Sequence, residues 1–145
     1  MRIRGYLSLA AASVAAAGNV AAGEPISTCT PAESVHVESS VARLRDWQGV
    51  YHAYRINKSC NGENVVEVWG AYSQVISNLL AKDWKNIDQL SRLTRKDAAF
   101  ETFVLTHLSD ETIPEDVLAK IRLHASRECN AGQEALCAKL SKATE

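Results

Sequence analysis

The sequence is poor in the features by which many functions announce themselves. It has no basic excess: 16 Lys and Arg stand against 17 Asp and Glu, a formal net charge of −1. The two signs alternate along the chain. That balance lacks the basic stripe that holds nucleic acid, and it gives no strong steering toward one class of partner. There is no G-x-S-x-G, no glycine-rich phosphate loop, no H-E-x-x-H and no C-x-x-C. No run of alternating β-branched residues survives a pass along the chain. Val65-Val66-Glu67-Val68 is the best strand candidate, but helical spacing continues through it to Leu80. No repeat, low-complexity tract or second apolar span follows the N-terminal segment.

What is present begins with a signal peptide at residues 1–22. Arg2 and Arg4 form a positive start, Leu7 to Ala17 is an uncharged run, and Val20-Ala21-Ala22 sets a cut before Gly23. The run is about half the roughly 20 apolar residues a membrane span needs. Ile26-Ser27-Thr28 before Cys29 does not resemble a lipobox, and Ile3 separates the two arginines, so no twin-arginine signal is present. Cleavage leaves 123 residues with 14 basic against 17 acidic side chains, a length that suits one domain. The expected location is the periplasm or the medium, with no stable membrane insertion after cleavage.

All four cysteines, Cys29, Cys60, Cys129 and Cys137, lie beyond that cut. An even count after an export signal reads as two structural disulfides. Four cysteines allow three pairings, and the sequence does not choose among them. The first choice joins Cys129 to Cys137 across a turn with Asn130 and Gly132, which leaves Cys29 for Cys60. A zinc site would need closer spacing. Only His124, five residues before Cys129, is near any cysteine of the later pair. No metal or cofactor is expected.

Residues 23–39 read as an extended polar arm, with Val35 and Val37 as its contacts to the core, and residues 40–145 as a helical domain. A first helix starts at Val41 and runs through Leu44, Trp47, Tyr51 and Tyr54, stopping before Asn61-Gly62. A second spans about 64–82, where small Gly70 and Ala71 allow close helix approach. A third covers about 84–93. Thr94 is the expected N-cap of a fourth, on which Phe100, Phe103, Val104 and His107 or Leu108 share a face. Thr112-Ile113-Pro114-Glu115 has the form of a capping box for a fifth. A last short helix starts near Gln133 and carries Leu136, Cys137 and Leu140. The expected fold is an all-α bundle of five to six short helices, stapled by disulfides.

Two side-chain groups have the composition of a site. His107 with Asp110 and Glu111 is the single His–acid cluster at a helix end, suited to a metal or to base catalysis; a solvated acidic turn beside a helix-end histidine is the favoured account of it. Trp47 and Tyr51, flanked by Arg43 and Arg55, have the aromatic and arginine chemistry of an interface anchor; core packing is the competing account. Arg92, Arg95 and Lys96 form a small basic patch read as a solvated face.

From Tyr51-His52-Ala53-Tyr54, through Cys60-Asn61-Gly62, Gly70-Ala71-Tyr72-Ser73 and Phe100 to His107, to Cys129 and Cys137, the order of features resembles small exported, largely uncharacterised helical proteins of proteobacteria. The resemblance covers about the last two-thirds of the chain and implies a fold and a compartment. A looser likeness, in size, export and helical make-up, is to the periplasmic immunity proteins of type VI secretion amidase effectors. Together these readings lead to an exported, non-enzymatic protein that binds an envelope protein, as an inhibitor or immunity factor. The alternatives are a periplasmic enzyme or ligand-binding module with a site near His107, and a structural envelope protein.

Overall fold

A computed structural model describes residues 28–145. The expected signal peptide and residues 23–27 of the arm lie outside the described residues. All regular structure among the described residues is helical, and seven α-helices follow one another in order: α1 Pro31–Val41, α2 Trp47–Ile56, α3 Val66–Lys82, α4 Ile87–Lys96, α5 Ala98–His107, α6 Glu115–Arg127 and α7 Glu134–Ala143. Short 3-10 turns at Lys58–Cys60 and Trp84–Asn86 lead out of α2 and into α4.

The expected arm is helical from Pro31 onward, and this supplies the helix beyond the expected five or six. Its start is a capping box: Thr30 N–H donates to Glu33 Oε2 at 2.7 Å, and Glu33 N–H donates to Thr30 Oγ1 at 3.3 Å. Pro31 occupies the first turn, where a missing N–H costs nothing. Only Val37 and Val41, four residues apart, are buried on α1, which is why the segment shows no sustained apolar period. Val41 therefore ends α1 rather than starting the next helix. Asp46 starts α2, its carboxylate accepting from Gly49 N–H at 2.7 Å.

α3 is the central helix. It packs against α1, α2, α5 and α6, and ten of its seventeen residues are buried, far more than the single stripe of a surface helix. Gly70 does not serve close approach: a Cβ placed there meets no atom within 4 Å. The remaining contacts pair α4 with α5, α2 with α4, α6 with α7 and α5 with α7, closing the core around Trp47, Tyr72, Ile76, Leu80, Leu90 and Phe100.

Two expected helix starts are displaced. Thr94 lies inside α4, buried, its hydroxyl donating to Ser91 O at 3.2 Å. The N-cap of α5 is Asp97, whose Oδ1 accepts from Phe100 N–H at 3.0 Å. Pro114, not Thr112, is the N-cap of α6, and no side chain caps it. Thr112 instead donates through its N–H and its hydroxyl to Asp110 Oδ1, at 2.9 and 2.7 Å, and Glu115 pairs with Arg122.

Both cysteine pairs stand at disulfide distance in the first-choice pairing. Cys29–Cys60 joins the start of α1 to the turn after α2, with S–S 2.07 Å, and Cys129–Cys137 closes the α6–α7 connection, with S–S 2.03 Å. Gly132 in that connection has φ +83°, a left-handed conformation that glycine adopts without the steric cost of a Cβ. No helix among the described residues is long and apolar enough to cross a membrane.

Candidate binding groove

The aromatic pair expected at the surface is inside. Trp47 is 1% exposed, and its backbone N–H donates to Gln89 Oε1 at 3.1 Å, fixing α2 to α4. Tyr51 is 9% exposed. Its ring meets Phe100 edge-on at 4.9 Å, and its hydroxyl donates to Asp97 Oδ2 at 3.2 Å. These residues are core, which corrects their assignment as interface anchors. Arg43 and Arg55 are exposed. Arg55 lies over the Tyr51 ring at 5.8 Å, and the two share a shallow depression with Gln48, His52 and Ile56.

The His107 cluster is brought together and closed off. The imidazole has no exposed surface. It is enclosed by Trp69 at 3.9 Å, Phe103 at 4.4 Å and Tyr72 at 5.6 Å between ring centroids. Its Nδ1 lies 2.9 Å from Ser73 Oγ, which also lies 3.1 Å from Trp69 O. The imidazole tautomer decides which group donates across the His107–Ser73 contact, and the ring nitrogen away from it is Nε2. That atom is buried and has no hydrogen-bond partner among the described residues. Burial lowers the His107 pKa to about 4, against a smaller upward pull from Asp110. Burial raises the Asp110 pKa, but hydrogen bonds from Ser73 and Thr112 and the nearby His107 more than offset it, leaving the group below its ordinary value.

Ser73, His107 and Asp110 thus form a serine–histidine–aspartate group of familiar composition. A nucleophile must reach its substrate, and Ser73 is 1% exposed. The nearby surface hollow is lined by Glu63, Trp69, Thr106, Ser109 and Asp110, without Ser73 or His107. The exposed Glu111 adds no closed acidic pair. Among the described residues no three His, Cys, Asp or Glu side chains are grouped to hold a metal ion.

One surface feature with the composition of a binding site lies along α3. A groove of about 570 Å³ runs between α3 and the turn that follows α1, within the size range of small-ligand sites. Leu44, Val75 and Leu79 supply its apolar surface, Gln74 and Asn78 its amides, and Arg45, Lys82 and Asp83 its charges. Three local causes build it. Gln74, Asn78 and Lys82 recur every four residues and so share one face of α3. The chain turns sharply after Val41, where Leu44 N–H donates to Val41 O at 2.9 Å, bringing Leu44 and Arg45 alongside. Arg45 is then pinned, one nitrogen donating to Ala42 O at 3.0 Å and Leu44 O at 2.7 Å.

A second groove, of about 460 Å³, lies on the other side of the same α3 row, between it and the Thr112-Ile113-Pro114 segment leading into α6. Gln74, Asn78 and Lys82 line both. None of these residues stood out in the sequence. The available signal was a polar row at four-residue spacing on an otherwise apolar helix, which by itself marks only a solvated face. No protein-family model, curated protein or solved structure matches the chain.

Proposed function

We propose that this chain is an exported, non-enzymatic protein that binds a segment of an envelope protein along the α3 face. The observation that carries the reading is the α3 row Gln74, Asn78 and Lys82, polar and flanked by a groove on each side. Side-chain amides offer a donor and an acceptor together, which suits the alternating groups of a peptide backbone, and apolar side chains beside them provide area to bury. The paired cysteines after an N-terminal export signal support an oxidising compartment. The enclosure of Ser73 and His107 keeps that cluster from contact with a substrate. If the partner is a cell-wall hydrolase, an inhibitor or immunity role follows.

The test is retention of envelope proteins by the tagged, exported chain, compared with an Asn78→Arg variant. The larger side chain obstructs both grooves without touching the core. The reading expects a protein retained by the unaltered chain and lost with the variant, at an unchanged melting temperature. Equal retention by both would contradict it.

A further inference from the structure

We infer that the segment held in the first groove carries a carboxylate, seated between Arg45 and Lys82. This rests on the groove reading above and adds the chemistry of the occupant. The guanidinium of Arg45 is held in place by Ala42 O and Leu44 O through one of its nitrogens, which leaves its other donors for a ligand, and a fork of donors matches a carboxylate. Lys82 lines the same groove and makes no ion pair among the described residues. The acid at this end, Asp83, is already engaged: Lys85 lies 3.7 Å from one oxygen, and Asn86 Nδ2 donates to the other at 2.6 Å. The groove thus carries two cations, Arg45 and Lys82, against one acid, Asp83, whose two oxygens already have neighbours, in a chain whose acids outnumber its bases.

The dimensions fit an extended strand. From Gln74 to Lys82, α3 advances about 12 Å, the length of roughly four extended residues. Such a strand meets the amides of Gln74 and Asn78 with its backbone, lays alternate side chains on Leu44, Val75 and Leu79, and ends at the cations. A chain terminus and an acidic side chain supply the same carboxylate, so both are probed.

The experiment is a titration of the oxidised, exported chain, followed by amide chemical shifts, with three acetylated peptides. One is Ala-Leu-Ala-Leu with a free C-terminal carboxylate. The second is Ala-Leu-Ala-Glu-Ala and the third Ala-Leu-Ala-Gln-Ala, both ending in a carboxamide. The inference expects at least one acidic peptide to shift groove amides with a dissociation constant of about 1 mM, weakening as salt rises, and the neutral peptide to bind roughly threefold or more weakly. Lys82→Glu should abolish the preference, while Lys96→Glu, outside the groove, should leave it. Which acidic peptide binds distinguishes a terminus from a side chain. Equal binding of the neutral peptide, or loss of preference in both variants alike, would overturn the carboxylate and leave the groove standing. Failure of all three peptides to shift any groove amide would overturn both.

Discussion

His107 Nδ1 lies 2.9 Å from Ser73 Oγ, and the imidazole that makes this contact has no exposed surface. Burial disfavours the charged imidazole, so the ring is neutral at neutral pH. With the folded-state pKa lowered to about 4 from 6.5, the unfolded chain takes up a proton that the folded chain refuses. Stability is full above pH 6.5 and declines as pH falls toward about 4, by as much as about 3 kcal/mol. Urea unfolding across that range should show the decline, and His107→Leu should flatten it. A profile that stays unchanged in the variant would show that His107 is not its source.

The capping pattern makes an opposed pair of predictions. Thr30→Ala should cost about 1 kcal/mol, because Thr30 and Glu33 cap α1 reciprocally. Thr112→Ala should cost no more than about 0.5 kcal/mol, because Thr112 bonds the exposed Asp110 turn and caps no helix. Chemical denaturation of the two variants decides the matter, and a reversed order would contradict the assigned helix starts.

Those two sites also show how much of the fold was legible. The helices α3 to α7 could be read because apolar side chains recur along them, and most of the expected faces are buried. The threonine-to-glutamate pattern was assigned to the wrong place because proline position decides it. Proline pushes the preceding residue toward extended backbone. At Pro31 that residue is Thr30, the cap, which is extended already with φ −78° and ψ 158°. At Pro114 the extended residue would be Ile113, inside the helix that Thr112 was expected to start. α1 itself was hidden because Val37 and Val41 are its whole buried face. The groove was invisible for a different reason: it is assembled from a turn and a helix face about 30 residues apart, and each alone looks like ordinary solvated surface.

Trp47→Ala should destabilise the fold by roughly 3–5 kcal/mol, since the side chain is 1% exposed and joins α2 to the core. A melting temperature unchanged by the substitution would return Trp47 to the surface.

Gly70→Ala should stabilise the protein by roughly 0.5–1 kcal/mol. Gly70 sits within α3, and the added methyl meets no atom within 4 Å. Destabilisation would mean that another segment occupies that space.

The central claim is that the α3 face holds a partner, and site-specific photo-crosslinking in the cells that produce the protein tests it most directly. A photoreactive residue is placed at Asn78, between the two grooves, and in a separate variant at Arg92, exposed on α4. The account predicts a crosslink from position 78 to one envelope protein, identified by mass spectrometry, and none to that protein from position 92. Equal crosslinking from both positions, or none from position 78 while the protein is folded and exported, would contradict it.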